Sequence, residues 1–217
     1  MKRMICALGI FLYAGVVCAQ QEEHVFVIEG DSIRCNSEYV DPLYFDYQDE
    51  SYSLYKSLVI QSANKAYSYT INLYDYDVAK GDGGNFRIID LVQNGKSILC
   101  LRQSNGWEPL NSEECIDVIL LDEETTALLF KGFPYPNDPE LLTIIVIHKN
   151  KAKLVFNKHF ILKEREKNDT GYRLILQDQV IEYISINQPA NHAYIYHIWK
   201  EGNALKFGGP YEEIDKD

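Results

Sequence analysis

The sequence predicts an all-β protein: a single-domain antiparallel meander that forms a β-sandwich or a barrel. Apolar side chains recur at every second position, as at Tyr67, Tyr69, Ile71 and Leu73, which is the period of a strand with one face in a core. Two-residue turn signals recur between such segments, and few segments have helical periodicity. Together these features indicate a fold made of strands and tight turns.

The predicted strands follow one another along the chain. Residues 67–73 form one strand, and the others are residues 24–29, 32–36, 86–93, 96–102, 141–147, 153–156, 159–165, 171–177, 193–199 and 203–207. Asn94-Gly95 joins two of them, because Asn and Gly tolerate the positive φ angles of a type I′ hairpin turn. Gly30-Asp31 and Glu201-Gly202 are predicted to form similar turns.

Three segments depart from simple alternation. Residues 141–147 are apolar on both faces, which predicts a central strand that is covered on both sides. Asp122 begins a segment that fits a short helix ending before Gly132, although its apolar residues fit a strand equally well. Residues 104–114 and the proline-containing residues 134–139 are predicted to be loops.

A small four-bladed β-propeller is the alternative architecture. The predicted hairpin turns centre near residues 30, 94, 150 and 202, so that units of roughly 50 residues would follow one another along the chain. The residues inside these units barely match, and any antiparallel meander produces hairpins at some spacing. The sandwich or barrel is therefore favoured over the propeller.

Residues 1–19 have the pattern of a secretory signal peptide. A basic start precedes the apolar residues 4–19, a stretch shorter than the roughly 20 residues that span a membrane. We expect residues 20–217 to be a single secreted all-β domain, in a bacterial periplasm or outside the cell. A lipid anchor at Cys18 is the rival interpretation, and plain secretion is favoured because Val17 is not the small residue that lipidation requires.

The charge of the chain restricts its partners. The net charge is −11, and cleavage would remove Lys2 and Arg3 and make it −13. Such an acidic surface repels nucleic acid and anionic membranes, so neither is expected as a partner. No transmembrane segment is expected, because no other hydrophobic stretch approaches spanning length.

Three cysteines would remain after cleavage: Cys35, Cys100 and Cys115. They allow at most one disulfide, and three pairings are open. Cys100 lies in an apolar strand and is therefore expected to be a buried core thiol.

Asp75 and Asp77 stand two residues apart, so both carboxylates would face one side of a strand. Together with Asp82 and Asp90 and the intervening glycines they resemble a calcium loop in composition, but the ligand spacing fails. Ordinary solvated acids are the favoured interpretation, and no cofactor is expected apart from this calcium candidate. Asp75 and Asp77 are also the first candidates for a pair of catalytic carboxylates.

Tyrosine is the most suggestive feature of the composition. Nine of the sixteen tyrosines fall in residues 39–76, interleaved with acids. The recognition candidates predicted to lie in a loop are Tyr44, Tyr47, Tyr52 and Tyr55. Trp107 is a further candidate, since its neighbouring Gly106 can place the ring either at the surface or as a plug in the core.

These features favour a secreted, non-enzymatic protein that binds a protein or a glycan through tyrosine-rich loops. The sequence has no serine-hydrolase elbow, phosphate-binding loop or zinc-protease spacing. One alternative is an extracytoplasmic hydrolase whose carboxylates are assembled only by the fold. The other is an acidic inhibitor or immunity-type protein that covers a cationic enzyme.

Overall fold

The structure is a computed structural model, and strands dominate it. It describes residues 21–45, 51–76, 86–111, 113–132, 140–168, 171–181, 191–211 and 213–215. These residues form sixteen strands and one short 3₁₀ turn, and no α-helix is found among them. The predicted all-β class is therefore confirmed. Residues 1–19, including Cys18, lie outside the described residues.

The elements follow in close succession. They are β1 (Gln21–His24), β2 (Phe26–Glu29), β3 (Ser32–Cys35), the 3₁₀ turn (Ser37–Tyr39), β4 (Tyr52–Gln61), β5 (Ser68–Tyr76), β6 (Phe86–Gln93), β7 (Lys96–Glu108), β8 (Asp117–Leu120), β9 (Thr125–Gly132), β10 (Leu141–His148), β11 (Lys151–His159), β12 (Ile161–Lys167), β13 (Tyr172–Ile181), β14 (Asn191–Glu201), β15 (Ala204–Gly209) and β16 (Glu213–Asp215).

The strands form two large antiparallel sheets and a separate hairpin. One sheet has eight strands in the order β11-β10-β9-β7-β6-β5-β4, with β8 paired to β9. The other has six strands in the order β1-β15-β14-β13-β12, with β16 paired to β14, and β2 pairs with β3 alone. Four separate four-stranded blades are not formed by the described strands, so the propeller alternative is wrong.

β10 is the centre of the molecule. All eight of its residues are buried, which confirms the predicted strand covered on both sides. Ile144 and Val146 pack into a core shared with the six-stranded sheet, where they meet residues such as Leu174. Ile145 and Ile147 point the opposite way, into a second core shared with β5 and β6. Because side chains alternate along a strand, β10 supplies both cores.

The eight-stranded sheet folds back on itself. The hydroxyl of Tyr69 on β5 donates to the carbonyl of Lys149, just after β10, at 2.6 Å. The side-chain amide of Gln93 at the end of β6 donates to the same carbonyl at 3.3 Å. In a flat sheet β5 and β10, four strands apart, would be separated by about 19 Å. The strands β4 to β7 therefore cover one face of β9 and β10, and the six-stranded sheet covers the other.

The hairpin turns form at the residues that predict them, except that one turn is displaced by one residue. Asn94 and Gly95 have φ angles of 50° and 73°, as predicted for a type I′ turn, and Gly30 has a φ of 60°. The last hairpin turns at Gly202-Asn203, one residue later than predicted.

One sequence prediction for this part of the fold is wrong, and one open alternative is decided. The segment that begins at Asp122, which fitted a short helix and a strand equally well, contains strand β9, because tertiary burial of nearly every residue favours an extended strand between β10 and β8. Residues 104–108, expected to lie in a loop, belong to the long strand β7.

The described cysteines are all free thiols. Cys35 is half-buried and Cys115 is buried, but Cys100 is exposed. The expectation of a core thiol at Cys100 is therefore wrong. Cys100 pairs with Asp90 across the sheet and shares its solvent face, while the neighbouring leucines point inward.

No helix in the described part of the chain is long and apolar enough to span a membrane.

Candidate functional site

The predicted recognition residues lie near one end of β4 to β7, which we call the aromatic end. The described aromatic residues there include Tyr44, Phe45, Tyr52, Tyr55, Phe86 and Trp107. Antiparallel pairing brings them together, because β4 and β6 begin where β5 and β7 end. Tyr52 and Tyr55 lie on strand β4 and not in the predicted loop. Tyr47 lies outside the described residues.

A row of rings leads from the surface into the core. Tyr55 is 38% exposed and stacks on Phe86 with the ring centroids 6.2 Å apart. Phe86 is fully buried and stacks in turn on Trp107, again at 6.2 Å. Offset stacking of this kind adds to the free energy of burial. One face of the Tyr55 ring therefore packs on the buried Phe86, and the rest of the ring is partly exposed to solvent.

The sequence left Trp107 either at the surface or in the core, and the structure places it in the core. It is fully buried, and its indole Nε1 donates to Thr143 Oγ1 at 2.9 Å. That hydroxyl donates to Asn157 Oδ1 at 2.8 Å, and the Asn157 amide donates to the carbonyl of Asp41 at 2.9 Å. The indole thus plugs the core and satisfies its one donor internally, and it offers no surface to a ligand.

Tyr44 is the most accessible of the predicted tyrosines, with 68% of its surface exposed. Its backbone carbonyl accepts from the Ser104 amide at 2.8 Å, which ties its segment to β7. Beside it lies a small cleft of about 110 Å³, with Gln103 and His159 among its walls. The ring therefore projects from an anchored backbone.

Phe45 and Tyr52 form a second, shallower contact on the outside of the sheet. Their ring centroids are 6.0 Å apart, and the guanidinium of Arg102 lies 5.8 Å above the Phe45 ring. A cation at this distance is attracted by the face of the ring. The exposed Arg102 thereby gives this outer face a positive group beside aromatic ones.

Asp75 lies in a buried ion pair. It is 1% exposed, and its Oδ1 lies 3.2 Å from Arg87 Nη1, while Arg87 Nε donates to the carbonyl of Ser104 at 2.9 Å. A buried carboxylate needs such a partner to stay charged. The pair fixes β5, β6 and β7 at the aromatic end and, through Ser104, the backbone that carries Tyr44.

The acids proposed for calcium are not gathered by the described strands. Asp90 pairs across from Asn72, on the solvent face of the sheet, and accepts from Ser97 Oγ at 2.6 Å. Asp75 points inward from the neighbouring strand, so these two carboxylates face opposite sides. Asp77 and Asp82 lie outside the described residues. Within the described ranges no three His, Cys, Asp or Glu side chains form a group that could hold a metal ion.

An ion triad closes the aromatic end at the other side of Trp107. The ammonium of Lys131 lies 2.8 Å from a Glu108 oxygen and 3.1 Å from a Glu140 oxygen. Burial alone would lower the pKa of Lys131, but the two carboxylates outweigh it and raise the pKa. Lys131 therefore stays charged and joins β7 and β9 to the start of β10.

Exposed apolar side chains are concentrated on the first part of this layer. Six large hydrophobic residues are exposed in the described chain: Val27, Tyr44, Leu54, Tyr55, Val59 and Leu120. Four of them, Tyr44, Leu54, Tyr55 and Val59, lie within sixteen consecutive residues, and we call them the β4 patch. Leu54 pairs with Tyr74, and Val59 pairs with Thr70. Because Tyr74 and Thr70 are four residues apart on β5, they point to the same side of the sheet, and Leu54 and Val59 share that side.

β4 is also an edge strand. In the described part of the chain it pairs with β5 and with no other strand. A register shift at Tyr55 interrupts the pairing, and from Lys56 to Gln61 the register is continuous. An edge strand presents backbone N–H and C=O groups to any extended segment that approaches it.

Sequence reasoning did not find Leu54, Val59 or Arg87 as parts of this region. The apolar run Leu58-Val59-Ile60 was a usable signal, since an edge strand that is apolar on both faces leaves one face uncovered. Arg87 lies between the apolar residues Phe86 and Ile88. A basic residue in such a position indicates a buried charge that needs an acidic partner.

Comparison with known proteins identifies no relative. No family model matches the chain, no curated protein matches it, and no solved structure matches it.

Proposed function

We propose that this protein is a secreted binding protein whose β4 edge and β4 patch take up an extended segment of a protein partner. The observation that carries the proposal is the concentration of four of the six exposed large hydrophobic side chains on and just before an edge strand. Soluble proteins keep exposed apolar patches small unless they bind something there. Strand addition at a sheet edge is a common mode of peptide recognition.

The geometry of the patch favours a protein segment over a glycan at this place. From Leu54 to Val59 the strand runs for about 17 Å at 3.3–3.4 Å per residue, so that the apolar groups form a strip. A segment added beside Lys56 to Gln61 would gain backbone hydrogen bonds and place every second side chain on the face that carries Val59. The projecting Tyr44 and the supported Tyr55 would contact the partner at one end of the strip.

The charge of the chain favours a basic partner. The net charge of −11 attracts cationic segments over long range and speeds their association at low salt. The inhibitor or immunity interpretation is a special case of this proposal, in which the partner is a cationic enzyme. The hydrolase alternative draws no support from Asp75, because its carboxylate is buried against Arg87.

A selection with displayed peptides tests the proposal. Peptides about as long as β4, which has 10 residues, are selected on the immobilised protein, and their affinity is measured by fluorescence anisotropy. We expect basic peptides with alternating apolar residues. Val59→Lys should weaken their binding by about tenfold, because burial of a valine side chain contributes about 1.5 kcal/mol or more.

Leu120→Lys is the matched control, since Leu120 is 45% exposed and lies outside the patch. It should leave the affinity unchanged, and Tyr44→Ala should lower the affinity without lowering the melting temperature. If no peptide is selected, or if Val59→Lys and Leu120→Lys bind the selected peptides equally well, the proposal is wrong.

A further inference from the structure

A second cleft lies at the end of the molecule opposite the aromatic end, where β6 and β10 finish. It has a volume of about 480 Å³, within the range of small-ligand sites. Four hairpin turns and the start of β5 contribute to its walls, and we call it the turn cleft. The turns supply Asp31, Asn94 and Lys149.

Hydrogen bonds of the Lys149 backbone hold the walls of the turn cleft in place. The carbonyl of Lys149 accepts from Tyr69 Oη at 2.6 Å and from the Gln93 amide at 3.3 Å, and the Lys149 backbone N–H donates to the carbonyl of Glu124 at 3.2 Å. Gln93 is buried, although its side chain belongs to the lining. The cleft is therefore built on hydrogen bonds between layers and is organised before any ligand arrives.

The ammonium group in the cleft is already paired with carboxylates. Lys149 Nζ lies 2.9 Å from Asp31 Oδ1 and 3.5 Å from a Glu124 oxygen. The hydrogen bond from Lys149 lowers the pKa of Asp31, so the carboxylate stays charged at neutral pH. An anionic ligand would have to displace Asp31 or Glu124 from Lys149, which disfavours anions.

The remaining lining is neutral and polar. Its residues carry neutral polar groups: Tyr67 and Ser68 have hydroxyl groups, and Gln93, Asn94 and Asn150 have amides. Hydroxyl and amide groups both donate and accept, as the hydroxyl groups of a sugar do. The half-buried ring of Tyr67 adds an aromatic face of the kind that packs on the C–H groups of a sugar ring. The only aliphatic side chain in this lining is that of Ala66.

We propose that the turn cleft binds an uncharged saccharide, as a free mono- or disaccharide or as a unit of a larger neutral glycan. Neutral amides and hydroxyls and one aromatic ring favour this ligand over an apolar molecule, and the paired Lys149 disfavours an anion. The proposal does not depend on the function proposed for the β4 patch, although Ser68 of the cleft is a diagonal neighbour of Val59 on the outer face of the sheet.

The test begins with an array of neutral and anionic oligosaccharides probed with the full protein. The best neutral ligand is then titrated by calorimetry into the protein and its variants. Ser68→Ala combined with Asn150→Ala should weaken binding by about fivefold for each hydrogen bond that is lost. Tyr67→Leu keeps an apolar side chain but removes the ring, and it should weaken binding as well.

Asn203→Ala is the matched control, because Asn203 also follows a positive-φ residue in a two-residue turn but lies away from the cleft. It should bind the saccharide like the unchanged protein. The proposal is overturned if no neutral saccharide binds, if anionic glycans bind in preference with strong salt dependence, or if the cleft variants bind as well as Asn203→Ala. Leu54→Lys, at the end of β4 away from the cleft, should keep its saccharide binding, so the failure of either proposal is recognisable on its own.

Discussion

The ion pair of Asp75 and Arg87 shows how single residues organise the aromatic end. Asp75 approaches Arg87 at 3.2 Å with almost no exposure, and Arg87 also donates to Ser104. Removal of one partner from a buried pair leaves the other charge without compensation in a medium of low dielectric constant. The pair is therefore a structural element of this end of the protein.

Asp75→Asn should destabilise the protein by about 3–5 kcal/mol, because the buried guanidinium of Arg87 loses its counter-charge. Urea denaturation measures the change. Asp90→Asn is the matched control on the solvent face and should cost only about 1 kcal/mol, the value of its hydrogen bond from Ser97. Equal stability of the two variants would contradict a structural role for Asp75.

Trp107 shows a second residue whose role depends on partners far away in the sequence. Its indole hydrogen bonds to Thr143, and Thr143 bonds to Asn157, so three strands meet around one chain of polar groups. No pattern in residues 104–107 indicates that a threonine on a distant strand will accept this bond. The choice between surface and core was therefore open in the sequence and is decided by the fold.

At the scale of elements, alternation and turn chemistry predicted the regular strands well. The hairpin at Asn94-Gly95 and the doubly covered β10 appear where the sequence indicated them, because both depend on local rules. β4 was missed because the register shift at Tyr55 breaks its alternation and because polar Lys56 points to the same side as Leu58. The face of an acid depends on register, which the sequence leaves open, and the structure places Asp75 and Asp90 on opposite faces of the sheet.

The close approach of β9 and β10 depends on a glycine. A methyl group on Gly132 would lie 2.9 Å from the carbonyl oxygen of Leu141, which is closer than side-chain carbons normally come to backbone oxygens. Gly132 also pairs with Trp107, so the strands β7, β9 and β10 converge at this position. Little room is left for any side chain there.

Gly132→Ala should therefore destabilise the protein by about 1–3 kcal/mol through overpacking between β9 and β10. Gly171→Ala is the control, since the nearest atom to a methyl group there is Asn168 Oδ1 at 3.5 Å, an ordinary contact distance. Thermal unfolding of the two variants measures the difference. Equal melting temperatures would show that the strands can separate at Gly132 without loss.

At the scale of the whole molecule, the fold-back of β4 to β7 creates both candidate sites. It leaves β4 as the edge strand of the layer formed by β4 to β7, and it brings the turns of four hairpins together at the turn cleft. The bond from Tyr69 to Lys149 closes this fold-back beside the cleft. The layers and the cleft therefore depend on the same contact.

The closing contact predicts a dependence of stability on pH. Burial, followed by the nearby Tyr67 and Glu124, raises the pKa of Tyr69 from its usual 10 to about 12. The folded state thus holds the phenolic proton more tightly than the unfolded state does. The stabilisation is complete below pH 10 and is lost as the pH rises from 10 to 12.

Tyr69→Phe keeps the ring but removes the hydroxyl, and it should cost about 1 kcal/mol at neutral pH, the value of the lost hydrogen bond. Above pH 10, the usual pKa of a tyrosine, the unchanged protein should lose stability faster than the variant, because only it must release the Tyr69 proton. The gap between their melting temperatures should therefore narrow as the pH approaches 12. Thermal unfolding followed by circular dichroism across this range measures the gap. A gap that stays constant would mean that Tyr69 ionises equally well in the folded and unfolded states, and that its bond to Lys149 does not close the layers.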